Sequence, residues 1–282
     1  MYGFLKLLSA LIQRTPVSWL DALANLIAWK AFVVLRIRRR LVMNNIRTAF
    51  GDSLPLADQK RIALASYQNF MKTILEFFHA RDTSVTDHCS FVGREIVDQA
   101  LSQGKGAYIL CCHLGNWEVM AAAVNRWICP VRVVVKKVGG EGTNNFVEER
   151  RAAIGMITIK RKGKMDAVRA IRDALGQNWL VGFVLDQSRP GEPRLPFFGQ
   201  DAKTNTSLAN LWQRNPAPVI PTFIVRERFD HHTIHFMPPV NLEPSEDRDG
   251  DLTRFTVQFN QALESIIRQQ PEQYFWLHNR WK

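Results

Sequence analysis

Ala107-Tyr108-Ile109-Leu110-Cys111-Cys112-His113-Leu114-Gly115-Asn116-Trp117-Glu118 is the stretch on which the reading of this chain turns. Its first six residues form a short apolar run, with Gly104-Lys105-Gly106 before it and Gly115-Asn116 soon after. Such a run between glycine punctuation reads as a buried strand. Residues 119–124 are helix-compatible. His113 therefore falls where a strand gives way to a helix, at the carboxyl edge of a sheet, which is where open α/β sheets place their ligands.

The spacing of His113 and Glu118 needs that geometry. On one continuous helix, residues five apart do not share a face. A strand–turn–helix path removes the problem. With Asn116 as the cap, Glu118 sits in the first helical turn, where a carboxylate is favoured, and the loop folds His113 back toward it. Glu118 would then hold one imidazole nitrogen and fix the tautomer. The other nitrogen would be free to take a proton from an alcohol. By spacing alone, the pair is equally readable as a structural histidine and an ordinary first-turn acid.

Working outward, apolar β-branched or continuous runs predict strands at 131–135, 157–159, 180–185, 219–225 and 233–237. Helical periodicity predicts helices at 56–80, 94–103, 144–154, 166–175, 206–215 and 252–269. Strands alternating with helices call for an α/β fold: a central, largely parallel mixed sheet flanked by helices. Residues 187–204, with Pro190, Gly191, Pro193, Pro196 and Gly199, read as a long loop of the kind that often carries function. No internal repeat or low-complexity segment is visible.

The chain has 282 residues, 46% of them hydrophobic and 22% charged, which describes a globular protein with an ample core. Its 37 basic and 26 acidic residues leave a net charge of +11. That balance suits nucleic acid, an anionic membrane surface or an acidic protein. Zinc-finger spacing, an RNP motif and a basic heptad array are all missing, so nucleic acid is not expected as a partner and an anionic lipid interface is preferred. The cysteines Cys89, Cys111, Cys112 and Cys129 form no C-x-x-C pair and lack ligand spacing with histidine. They read as free buried thiols in a reducing compartment, with no metal site. Cys111 and Cys112, adjacent on a strand, should face opposite sides of the sheet.

The N-terminal 35 residues are apolar with interruptions. Phe4, Leu5, Leu7, Leu8, Leu11 and Ile12 supply one apolar face before Pro16 breaks the chain. Residues 17–35 are long enough to span a bilayer, but Asp21, Asn25 and Lys30 interrupt them. Two amphipathic helices lying in the interface, and a pair of ordinary core helices, are the other readings. Arg36, Arg38, Arg39 and Arg40 follow directly, an arrangement held on the cytoplasmic side and attracted to anionic lipid. We divide the chain at residue 50: residues 1–50 as a membrane-associating helical segment, residues 51–282 as the catalytic domain.

Other residues can carry chemistry. Arg150 and Arg151, with Arg161 beyond them, offer guanidinium groups for phosphate, and each is equally readable as a solvated helix charge. Asp186-Gln187 ends a buried strand, as His113 does, so the carboxylate should face the same sheet edge. There Asp186 would bind an acceptor hydroxyl, help polarise the histidine, or merely cap. His278 shows no partner in sequence and is read as structural.

The segment from His113 to Glu118 resembles the signature of the bacterial lipid A biosynthesis (lauroyl/myristoyl) acyltransferases, members of the lysophospholipid acyltransferase superfamily marked by His-x4-Asp/Glu. The resemblance runs nearly the whole chain. It includes Arg38-Arg39-Arg40-Leu41-Val42-Met43-Asn44-Asn45-Ile46-Arg47-Thr48-Ala49-Phe50, then Leu185-Asp186-Gln187 and Pro196-Phe197-Phe198-Gly199. Ala217-Pro218-Val219-Ile220-Pro221-Thr222-Phe223 and the closing Pro271-Glu272-Gln273-Tyr274-Phe275-Trp276-Leu277-His278-Asn279-Arg280-Trp281 complete it. One departure is Thr204-Asn205-Thr206-Ser207-Leu208, where the family pattern leads us to expect a small residue, often glycine, near Ser207.

The resemblance implies transfer of a fatty acyl chain from acyl-acyl carrier protein, or acyl-CoA, to a hydroxyl of a glycolipid acceptor, a lipid A precursor. His113 is then the general base, and Glu118 orients it and stabilises the imidazolium. Backbone N–H groups around Gly115 and Asn116 become candidates for the oxyanion hole. Arg150 or Arg151 is the family's arginine; their cations, and that of Arg161, suit the phosphopantetheine phosphate, the acidic carrier or the sugar phosphates. Asp186, Gln187 and Asn116 complete the substrate-binding set. The acceptor hydroxyl attacks directly, with no acyl-enzyme, metal or tightly bound cofactor, at the cytoplasmic face of the bacterial inner membrane. Alternatives are the same chemistry on a lysophospholipid or a glycolipid such as a phosphoinositol mannoside, a non-catalytic protein that binds anionic lipid, and a hydrolase. Against the last, the sequence has no G-x-S-x-G elbow.

Overall fold

A computed structural model of the chain describes residues 1–160, 164–188 and 190–282. The elements run α1 (Tyr2–Ile12), α2 (Val17–Trp29, continued by a π turn over Lys30–Val34), α3 (Arg39–Phe50), α4 (Leu56–His79), β1 (Cys89–Val92), α5 (Arg94–Leu101) and β2 (Ala107–Cys111). They continue with α6 (Trp117–Trp127), β3 (Val131–Val135), α7 (Glu141–Ala153), β4 (Ile157–Lys160), α8 (Lys164–Gly176) and β5 (Leu180–Val184). The last are β6 (Arg194–Phe197), β7 (Gln200–Lys203), α9 (Ser207–Trp212), β8 (Val219–Arg228), β9 (His231–Phe236) and α10 (Arg248–Gln269).

Among the described residues, seven strands form one sheet in the order β1-β9-β8-β2-β5-β3-β4. All neighbours are parallel except β8 and β9, which are antiparallel. The fold is therefore α/β with a largely parallel mixed sheet, as expected. β2 lies at its centre, with β5 on one side (Ile109 opposite Gly182) and β8 on the other (Ile109 opposite Ile220). All five of its residues are buried, because helices cover both faces. Tyr108, Leu110 and Cys112 join the core that contains α8, α9 and α10 residues, whereas Ala107, Ile109 and Cys111 join the core that contains α5 and α6. The two adjacent cysteines thus face opposite layers, as the pleat requires.

α2 and its continuation have two apolar faces, one buried and one exposed. Leu20, Ala24, Ala28 and Phe32 repeat every fourth residue and are buried, and Leu20 and Ala24 share a cluster with Leu75 of α4. Asp21, an interruption in the apolar run, pairs with Lys72 of α4 at 2.7 Å. Phe4, Leu7 and Leu11 on α1, and Trp19, Leu23, Leu26 and Trp29 on α2, remain exposed.

Three features differ from the expectations. The stretch 187–204 is not all loop: β6 and β7 form an antiparallel hairpin in which Phe197 faces Gln200. Phe198 and Gly199, the two residues of its turn, have φ of 54° and 71°. Two positive-φ central residues suit a tight hairpin, but a phenylalanine there is rare. The exception is held by tertiary contacts: the Phe198 N–H donates to Glu264 Oε1 at 2.7 Å, and its buried ring packs beside Phe50, Phe197 and Trp276. β1 was not anticipated, being four residues long with alternating partial burial. Finally, His278 does have partners: the Ser188 N–H donates to its Nε2 at 3.1 Å, and Ser188 Oγ lies 3.2 Å away.

Candidate active site

The turn between β2 and α6 is built as the sequence suggested. Asn116 is the N-cap of α6, its Oδ1 accepting from the Val119 N–H at 3.2 Å, and Glu118 is the acid of the first turn. Gly115 has φ of 61°, and a Cβ there would lie 2.0 Å from the carbonyl oxygen of Ile224. Only glycine fits that turn. The C-terminal segment clamps it from outside: the Gly115 N–H donates to Gln273 O at 3.1 Å, and the Phe275 N–H donates to His113 O at 2.9 Å. Behind the turn lies a buried polar network. Asn116 Nδ2 donates to Glu76 Oε2 at 2.7 Å, and Arg226 donates to both Glu76 oxygens at 2.9 and 2.8 Å. Thr73 Oγ1 donates to Gly115 O at 2.9 Å.

His113 is held by Asp186, not by Glu118. Its Nδ1 lies 2.7 Å from Asp186 Oδ1, and its backbone N–H donates to Asp186 Oδ2 at 3.2 Å. Asp186 is 1% exposed. Burial alone would push its carboxyl up, but the His113 charge and hydrogen bonds outweigh burial and hold it below the ordinary carboxylate value. The anionic Asp186 therefore keeps a proton on Nδ1 and leaves Nε2 as the acceptor. Gln187 Nε2 stands 3.4 Å from that Nε2.

Glu118 faces the same cavity but binds Arg151. Arg151 Nε donates to Oε2 at 2.8 Å and Nη2 to Oε1 at 2.6 Å, a bidentate pair with both residues buried. This corrects the expectation that Glu118 orients the histidine: the sheet brings the end of β5 beside the end of β2, and Asp186 reaches Nδ1 first. The two arginines of α7 are also told apart. Among the described residues, Arg151 lines the cavity whereas Arg150 does not, and Nε and Nη2 of Arg150 are buried with no hydrogen-bond partner. Arg161 lies outside the described residues.

The cavity has a volume of about 370 Å³, within the usual range for a small-molecule site. His113, Trp117, Glu118, Arg151, Gln187 and Ser188 stand where β2 and β5 end, beside Lys136 and Lys137, which follow β3. Behind them the walls are apolar. Cys111 and Val184 are cross-strand partners, and Ile109 and Gly182 are the next such pair lining the cavity, one pleat repeat (~6.6 Å) deeper. Val131 opposite Leu180 lies one repeat deeper still. Trp117, Met120, Ala121 and Val124 form the facing stripe of α6 at helical spacing. A polar mouth thus leads into an apolar slot that runs back along the sheet.

Other groups can be assigned. The Gly115 N–H, a candidate oxyanion donor, is already bonded to Gln273. The first-turn N–H groups of Trp117 and Glu118 have no intrahelical acceptor and are the remaining candidates. Cys111 lines the cavity, and burial, with the Asp186 charge, pushes its thiol well up, away from the reactive thiolate. Ser188 also lines it, but its own backbone N–H occupies Nε2 of His278, whose basicity burial lowers. Sequence reasoning missed Lys136, Lys137, Trp117 and Gly182. The only signal for them was their place just after, or on, strands whose ends converge.

Comparisons with known proteins show the family. The chain is similar to the lipid A biosynthesis palmitoleoyltransferase of Escherichia coli K12, with 21% identity over 277 residues, 95% of this chain and 87% of the relative. A lipid A biosynthesis acyltransferase of Shigella flexneri is similar to the same degree, with the same coverage. The sequence model for bacterial lipid A biosynthesis acyltransferases matches residues 3–282, and the chain belongs to that family.

Proposed function

We propose that this acyltransferase moves a fatty acyl chain from acyl-acyl carrier protein, or acyl-CoA, to a hydroxyl of a lipid A precursor, with His113 as general base. The observation that carries the reading is the Asp186–His113 pair at the mouth of an apolar slot. The donor's chain enters the slot, which brings its thioester carbonyl to His113. Arg151, Lys136 and Lys137 around the mouth suit the phosphate that both donors carry on the pantetheine arm.

His113 Nε2 takes the proton of the acceptor hydroxyl as the oxygen attacks the thioester carbon. Asp186 stabilises the imidazolium that forms, the role of the aspartate in a catalytic triad. The tetrahedral oxyanion is met by the N–H groups that open α6, in a site shielded from water. Collapse breaks the C–S bond, and the imidazolium returns its proton to the departing thiolate. The products are an ester and a thiol. The attacking oxygen belongs to the substrate, so no acyl-enzyme forms. Glu118 acts at one remove, fixing Arg151 at the mouth.

The exposed apolar faces of α1 and α2, followed by Arg36, Arg38, Arg39 and Arg40, support seating on an anionic membrane surface at the cytoplasmic side of the inner membrane. Residues 17–34 are apolar enough to span a bilayer, but one face of α2 is occupied by α4, which favours an interfacial position. Under this reading residues 1–50 bring the remaining domain to its lipid. Transfer by purified protein, followed as ester formation with labelled acyl donor, tests the mechanism. His113→Ala should abolish it while the circular dichroism spectrum is unchanged. Retained transfer in that variant would discard His113 as the base.

A further inference from the structure

A second cavity, of about 340 Å³, lies against the opposite face of the same strand ends. Phe183 and Leu185 line it, whereas Gly182 lines the first; alternate residues of a strand face opposite sides of a sheet. Its walls are Val168 and Ile171 of α8 and Leu211 of α9, and its polar lining includes Glu192, Ser207, Asn210 and Arg214. The two cavities share Val134, Val184 and Asn205, so they meet at the ends of β3 and β5. Two residues beyond Val184 stands Asp186, which holds His113. Ser207, where the sequence departs from the family pattern, thus has a place: it helps line this cavity.

We infer that the second cavity binds a hydrocarbon chain of the lipid acceptor. The inference rests on the proposed function and extends it. The reaction joins two substrates that each carry hydrocarbon, and one apolar slot cannot hold both. The first slot contains His113 on its wall and is filled by the donor's chain in the mechanism above. The acceptor hydroxyl must reach both His113 Nε2 and the donor carbonyl, near where the two cavities meet. A chain seated between α8, α9 and β5 anchors the acceptor there. The polar lining of Ser207, Asn210 and Arg214 faces the headgroup, whose hydroxyls and phosphate such groups recognise.

The test is to fill the cavity and separate the two substrates. In the full chain, Val168→Trp puts an indole into the space, and Leu211→Trp fills it independently from α9. KM is measured separately for a lipid A precursor with its chains intact and for the acyl donor. Each variant should raise KM for the intact acceptor by at least ~tenfold, since losing even two buried methylenes is worth that much. Neither should raise KM for the acyl donor, and the preference among donor chain lengths should not move. Gly182→Leu in the first slot should do the reverse, shortening the preferred donor chain. An unchanged acceptor KM in both filling variants, or a shift in donor preference, overturns the inference. Equilibrium binding of the intact precursor in detergent micelles gives a readout without turnover. If wild-type protein binds the precursor but transfers nothing, the catalytic reading has failed, and the loss of binding in Val168→Trp still decides the cavity. Undiminished binding in that folded variant would dismiss it.

Discussion

Replacing Asp186 with asparagine keeps the size of a side chain that is 1% exposed and removes its charge. In the native site Oδ1 faces Nδ1 of His113 at 2.7 Å, and Oδ2 accepts from the His113 backbone N–H at 3.2 Å. Asparagine has one acceptor and one donor for these two donors. If its oxygen stays with the backbone, its amide faces Nδ1 and forces the proton to Nε2, which can then no longer accept from the hydroxyl. If its oxygen stays with Nδ1, two donors meet at the backbone, costing about 1–3 kcal/mol for the buried group left unpaired. In both cases the imidazolium loses its carboxylate. The corresponding change in a serine-protease triad lowers turnover about 10⁴-fold, or ~5 kcal/mol of barrier. We expect kcat to fall about 10³- to 10⁴-fold with little change in either KM, since the interaction strengthens only as charge develops on the ring. Initial rates of the purified variant against both substrates measure this. A variant that keeps more than a tenth of its kcat would show that Asp186 does not set the tautomer, and would return that role to Glu118.

Three further outcomes follow from particular contacts. Arg151→Ala strands the buried Glu118 carboxylate and should lose about 3–5 kcal/mol in urea unfolding, Glu118→Ala should lose less because Arg151 keeps Glu148 at 3.7 Å, and the double variant loses less than the sum; strict additivity would deny the pair. The Glu76 carboxyl would be raised by burial, but Arg226, and next His232 and the Asp230 N–H, bring it down to about 2. A carboxyl depressed below its unfolded value of ~4.3 contributes stability that is complete above that pH and lost as pH falls toward 2, so Glu76→Gln should destabilise at pH 7 and much less at pH 3; parallel wild-type and variant profiles would contradict this. Replacing Trp19 and Leu26 together by serine should weaken flotation with anionic vesicles at least ~tenfold, as two exposed apolar side chains leave the interface, without altering transfer to a detergent-solubilised acceptor. Equal flotation would remove α2 from the membrane contact.

Much of this architecture was legible because local rules and tertiary structure agree. The apolar run 107–112 reads as a buried strand, and the Gly115-Asn116 pair as its end and the cap of a helix, and the structure has both. What was not legible depends on residues that meet only through the sheet. Asp186 stands 73 residues beyond His113 and reaches it because β5 pairs with β2 in register. Arg151 stands 33 residues beyond Glu118, and nothing local separates it from Arg150, one position away but turned off the cavity. The hairpin at 194–203 was hidden for a different reason. Its turn places a phenylalanine in the left-handed region, against local preference, and the Glu264 contact and the surrounding rings that hold it come from distant parts of the chain.

The central claim is that a hydroxyl of the lipid, activated by His113, attacks the donor thioester directly. Mass spectrometry of the reaction of purified protein with acyl-acyl carrier protein and a lipid A precursor tests it. The account predicts a lipid product heavier by one acyl group, one free thiol released per ester formed, no acylated protein at any time, and none of this product with His113→Ala. Free fatty acid in place of the acylated lipid, or acyl-protein accumulating before product, would contradict it.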